Sequence, residues 1–143
     1  MADSLEPRES PGLLLWRATL SWQRVITSTL KPLGLTHVQF VLLASAWWLT
    51  RVAGERPNQR RIAEHANTDA MMTSQVIRAL AEKNLLVRTT DPDDARAHII
   101  DVTDDGVALA LRAVQVVEEA DRLFFESAGD RSALMAVLTA LNR

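Results

Sequence analysis

A mainly α-helical fold with one small β-hairpin (α+β) is the expectation, and three observations set it. Apolar residues recur at three-to-four spacing through most of the 143 residues. The period changes once, near residues 85–103, to short β-prone runs. Breakers separate the periodic stretches: "KPLG", "AGERPN", "NTD" and "AGD". With 48% hydrophobic and 24% charged residues, the chain has the means to build a core.

Each element follows in order. "MADSLEPRESPG" is polar and proline-bearing, so residues 1–11 are expected to form a flexible tail. Residues 12–31 read as a helix, with Leu13, Trp16 and Leu20 on one stripe and "LLLW" apolar on every side. Such a helix needs two surfaces to bury against, its own domain and a second subunit. Thr36 is the N-cap expected for a densely apolar helix over residues 37–50. A short helix over 59–66 and a longer one over 70–83 follow, the latter capped by Asp69. Its inward stripe is expected to be Met72, Val76 and Leu80, flanked by Thr73 and Ile77. Asn84 then suits a left-handed helix end. "LLVRTT" and "AHIIDVT", joined by "DPDDAR", form the hairpin. Thr103 caps a long helix over 104–127, with Val107, Leu111, Val114, Val117, Leu123 and Phe124 as its apolar positions, and residues 131–141 form the last helix.

A short helix, a tight turn and a longer helix make a helix-turn-helix, and the hairpin directly behind it makes a wing. In that frame the stretch from residue 59 to 106 resembles the MarR family of transcription regulators. The residues that carry the resemblance are Ile62-Ala63, Leu80, Lys83, Leu85, Arg88, Asp94-x-Arg96 and Thr103-x-x-Gly106, in that order. Two positions depart from the family pattern: Asn84 stands for a glycine and Val102 for a leucine. The resemblance implies a winged helix-turn-helix lobe (about 36–103) plus dimerisation helices (about 12–31 and 104–143). It implies a homodimer that binds a near-palindromic double-stranded operator, acts as a repressor, and is released by a small aromatic or phenolic ligand.

Roles follow from residue chemistry. Ser74, Gln75 and Arg78 lie outward on the second helix of the motif, where Gln and Arg can make bidentate bonds to adenine and guanine. Ala70 and Met71 can touch thymine methyls. Arg60 and Arg61 are candidates for phosphate contacts. Arg96 at the wing tip suits a narrow minor groove, with Arg88 on the first strand and Asp94 expected to orient the Arg96 guanidinium. Against each stands the plainer reading of a solvated polar face. Trp16, His37 and Trp47 are candidates for an aromatic-ligand pocket, against core or dimer packing.

Other classes are disfavoured. The net charge of −2 does not by itself advertise nucleic-acid binding, so that reading rests on local arrangement. The absence of cysteine removes disulfides and thiolate metal sites. His37, His65 and His98 sit on three separate elements, which disfavours zinc, and no cofactor is expected. A calcium loop starting at Asp91 fails at Ala95, Arg96 and Val102. No catalytic set is visible, so no enzyme is expected. With neither a secretory signal nor a membrane span in the sequence, a cytoplasmic protein is expected. The competing function is a winged-helix module for protein association, without specific DNA binding.

Overall fold

The computed structural model describes residues 6–142; residues 1–5 of the expected tail, and residue 143, lie outside the described residues. Among the described residues six α-helices and one hairpin follow in the order α1 (Pro11–Leu30), α2 (His37–Trp47), α3 (Gln59–Ala66), α4 (Ala70–Glu82), β1 (Leu86–Asp91), β2 (Asp94–Val102), α5 (Asp104–Phe125) and α6 (Arg131–Leu141). The tail leads into α1 through a 3-10 turn, Pro7–Glu9. Among the described residues no single helix is long and apolar enough to cross a membrane. The pair Pro11–Leu33 and His37–Val52 passes that test only together, and it is bent by 73°.

Helix ends follow the caps legible in the sequence. Thr36 forms a full capping box with Gln39. The Asp69 carboxylate accepts the Met72 N–H at 2.8 Å, and Thr103 Oγ1 accepts the Gly106 N–H at 3.0 Å. Asn84 has φ 59°, the left-handed conformation its place after α4 demands. Two ends differ from expectation. Instead of running on as α-helix to residue 50, α2 opens into a π-helical turn, Trp48–Val52, where the Ala53 N–H reaches back to the Trp48 carbonyl. After Phe125, α5 tightens into the 3-10 turn Glu126–Ala128.

The core is one cluster. Leu42, Leu43, Ala46 and Leu49 meet Ile62, Ile77, Leu80, Leu86 and Ile100 inside the lobe. The cluster continues into Ile26 and Leu30 of α1 and into Ala110, Ala113 and Val117 of α5, so the terminal helices share the lobe's core at one end only. The inward stripes differ from the spacing expected. In α1 the core side is Trp22, Ile26 and Leu30, while Trp16 is 63% exposed. In α5 it is Gly106, Ala110, Ala113 and Val117, while Leu111 and Leu123 are exposed. In α4, Met72 points out and Thr73 is fully buried. Thr73 can be buried because its hydroxyl is satisfied twice: it donates to the Asp69 carbonyl and meets Thr68 Oγ1, both at 2.7 Å.

Gly106 marks the joint between wing and α5. A Cβ there would collide with the Leu85 carbonyl and lie 2.7 Å from Val102 Cγ1. The hairpin pairs Leu86 with Val102 through Thr90 with His98 in antiparallel register. The register then slips to Asp91 opposite Asp94, which leaves Ala95, Arg96 and Ala97 without partners on β1. The loop is therefore only Pro92 and Asp93, and Arg96 sits in a bulge on β2 rather than in the turn.

Candidate nucleic-acid interface

The helix-turn-helix is set by short-range bonds. Asn58 caps α3, its side-chain oxygen accepting the Arg61 N–H at 2.8 Å. Asn67, at φ 55°, ends α3, and the Thr68 N–H closes on the Ala63 carbonyl at 3.0 Å. The Thr68–Thr73 contact then fixes how α4 leaves the turn. The result presents Ala70, Met71, Gln75 and Arg78 on an exposed face, with Ser74 half-buried beside them. Met71 is 73% exposed, and Met72 widens the apolar edge of this face. At the far end of α4, Lys83 Nζ donates to the Gly34 carbonyl at 2.8 Å and to Gln39 Oε1 at 3.2 Å, tying the helix to the start of α2.

The arginines divide into tied and free. Arg61 makes a forked pair with Glu55, at 3.0 and 3.2 Å, and its hydrogen bonds hold the Glu55 carboxyl below the usual carboxylate range. Arg61 is thus engaged in bracing the loop before α3. Arg60 lies 3.3 Å from Glu64 in an exposed i, i+4 pair, which holds it only weakly. Arg78, Arg88 and Arg96 are exposed and take no side-chain partner among the described residues. Three unpaired arginines on α4 and the wing are available to an anionic partner, with Asp91, Asp93 and Asp94 at the wing tip beside them.

The wing aspartates are turn-makers. Asp91 Oδ1 accepts the Asp93 N–H at 2.9 Å, and Asp94 Oδ1 accepts the Arg96 N–H at 3.0 Å. Asp94 therefore shapes the backbone under Arg96, and does not grip its guanidinium as expected. No group of three or more His, Asp or Glu that could hold a metal ion occurs among the described residues.

The three candidate pocket residues do not come together. Trp16 is exposed, Trp47 packs against the core, and His37 meets Trp22 edge-on, with ring centroids 5.0 Å apart. Trp22 Nε1 donates to Asp121 Oδ1 at 2.7 Å, and burial lowers the His37 pKa against an opposing pull from Asp121. A cleft of about 460 Å³ opens beside this group, between α1, α5 and α6. Trp22, Asp121, Phe124, Phe125, Leu134 and Leu138 line it, and none of Trp16, His37 or Trp47 does. Sequence reading missed Trp22 because its polar partner lies 99 residues away.

Residues 35–98 match the profile of the MarR family. An uncharacterized HTH-type transcriptional regulator, YdcH of Bacillus subtilis, is 38% identical over 135 residues, covering 94% of this chain and 91% of the relative. The chain belongs to the MarR family. Two solved structures of such regulators resemble this one along their length. The transcriptional repressor CouR bound to a 23-mer DNA duplex superimposes with TM-score 0.83 at 32% identity, covering 100% of this chain and 99% of that one. CouR from Rhodococcus jostii RHA1 bound to p-coumaroyl-CoA gives 0.80 at 26% identity, covering 96% and 92%. The mainly α fold with a two-stranded wing and the DNA-binding regulator class are thereby the ones the sequence indicated.

Proposed function

We propose that this protein is a repressor that binds its operator as a homodimer. Ala70, Met71, Ser74, Gln75 and Arg78 enter the major groove, and Arg96 enters the adjacent minor groove, with Arg88 behind it. Arg60, released from its weak pair with Glu64, reaches a phosphate, while Arg61 stays on Glu55. The observation that carries this reading is the exposed face of α4 with unpaired Arg78, flanked by a hairpin that presents unpaired Arg96, on a lobe whose core is closed.

Two copies join through α1, α5 and α6, whose apolar residues Leu14, Leu15, Trp16, Leu123, Met135 and Leu141 are exposed in the single chain. A two-fold pair places its recognition helices in successive major grooves, about 34 Å apart. A small aromatic ligand seated near His37 and Trp22 releases the DNA by favouring a different spacing of those helices. The protein works in the cytoplasm, and catalysis has no part in this reading.

The test is fluorescence anisotropy with the protein's own upstream intergenic DNA over a salt series. Expected is tight, sequence-selective binding whose logarithm falls linearly with the logarithm of salt concentration. Absent or sequence-independent binding would overturn the regulator reading in favour of a protein-association module. Phenolic acids or their thioesters are the ligands to add first, with tryptophan fluorescence as the second readout.

A further inference from the structure

We propose that Arg51 is a positioning residue for the wing: it pins the base of the hairpin so that Arg96, at the other end, meets the minor groove. The proposal rests on the wing reading above. Arg51 lies in the π-helical turn that ends α2, and Asp101 and Val102 lie 50 and 51 residues further along the chain. Its guanidinium Nη2 donates to the Val102 carbonyl at 2.7 Å and sits 3.5 Å from Asp101 Oδ1. The same Asp101 oxygen accepts the Val102 N–H at 2.8 Å, so one carboxylate holds both the pin and the strand end. Val102 is the last residue of β2, and Thr103 directly after it caps α5.

The rest of the connector docks β2 at a second point. The Ile100 N–H donates to the Pro57 carbonyl at 2.8 Å, and Asn58 bridges to Ile99. Outward of Ile99 the strand pairs with β1, first through His98 and Thr90 and then, after the slip in register, through Asp94 and Asp91. Leu86, Ile100 and Val102 anchor the base of the hairpin in the core, and the Arg51 bond is the side-chain contact that fixes its tilt on that anchor. Arg96 is six residues beyond Val102, roughly 20 Å along a strand, so a tilt of about ten degrees moves it by roughly 3 Å. That is about half the width of the minor groove, ~6 Å. The bond through Pro57 is backbone to backbone and survives any change at Arg51, so loss of the pin leaves the hairpin paired but mis-aimed.

The experiment uses the full chain and two operators identical under α4. One carries A·T pairs, the other G·C pairs, in the minor groove under the wing. Wild type, Arg51→Ala, Asp101→Asn, Arg96→Ala and the Arg51→Ala/Arg96→Ala pair are compared by anisotropy, with thermal melting as the check on folding. Arg96→Ala should lose about tenfold on the A·T operator and little on the G·C one. Arg51→Ala should erase the same preference, and the double variant should be no weaker than Arg51→Ala. Asp101→Asn, which keeps an acceptor for the Val102 N–H but loses the charge, should show a partial loss and serves if Arg51→Ala does not fold. A wild-type A·T preference in Arg51→Ala or, should that variant not fold, in Asp101→Asn removes the pin alone, as do additive losses in the double variant. An Arg96→Ala protein that keeps the preference removes the wing reading and the pin with it.

Discussion

The lobe and the terminal helices are built from the same apolar three-to-four pattern, yet one closes its core and the other does not. In the lobe, Leu42, Leu43, Leu49, Ile62, Ile77 and Leu80 are fully buried. By contrast α6 has no buried residue, and α1 buries only Ile26 and Leu30, near its C-terminal end. Burial, not composition, separates a finished unit from half of one. A finished core leaves the lobe's surface free for polar contacts, whereas the terminal helices present Leu15, Trp16 and Met135 to whatever completes them.

The comparison breaks first at the half-core. Leu138 is half-buried on the cleft wall, and Leu138→Glu would place a carboxylate where a second chain should pack. Expected is a monomer by light scattering, with operator affinity lower by more than about a hundredfold because the two recognition helices are no longer tethered. A variant that stays dimeric would show that the open helices are not a half-core, and a monomer that binds as tightly as wild type would show that the tether adds nothing to affinity. The next effect falls on the finished core. Gly106→Ala forces a methyl group into the Leu85 backbone, and since backbone cannot step aside cheaply, a loss of about 3 kcal/mol by urea denaturation is expected. A smaller loss would mean that the joint between wing and α5 is looser than its geometry.

Those joints also show what was legible beforehand. Caps and turns were, because Thr36, Asp69, Asn84 and Thr103 act on backbone groups a few residues away. The order of helices and hairpin was legible for the same reason. The α4 stripe was misread because Thr73 is polar and Met72 apolar. Only the Thr68 hydroxyl and the Asp69 carbonyl, which satisfy Thr73, make the exchange possible. The site's exposed face was legible from helical spacing, but the distinction between free Arg78 and tied Arg61 was not. It depends on Glu55 in the preceding loop, which no periodic pattern marks. The slip in register that puts Arg96 on a strand, and the partners of Arg51 and Trp22, depend on contacts distant in the chain.

That division of arginines can be sharpened. Arg78→Ala should weaken operator binding about tenfold and relax discrimination at the base it reads, since a bidentate contact to guanine is worth about 1–3 kcal/mol. Arg61→Ala should leave base discrimination intact and act on stability instead, because its partner is Glu55. Anisotropy against single-base operator variants, paired with melting curves, separates the two. Equal loss of discrimination in both would mean that the Glu55 pair opens on DNA.

The smallest effect lies at the seam between the two regions, where His37 of α2 meets Trp22 of α1 and Asp121 of α5. Burial disfavours the imidazolium, and the Asp121 carboxylate only partly offsets it, so the folded pKa lies below the ordinary value of 6.5. Well above pH 6.5 the imidazole is neutral in both states and its titration adds no pH dependence. As pH falls through 6.5, the unfolded chain takes up a proton that the folded seam resists, so stability declines until the lowered folded pKa is passed. His37→Gln removes that slope, so the difference between the two proteins isolates His37. Because the site is only half-buried, solvent screens the effect and the difference should be the smallest of those expected here. Urea denaturation of both proteins from pH 7.5 down to 5 measures it. Asp121→Asn, which removes the offsetting charge, should deepen the slope. Identical slopes for wild type and His37→Gln would mean that the seam is as wet as bulk solvent, and that the closed lobe core stops short of His37.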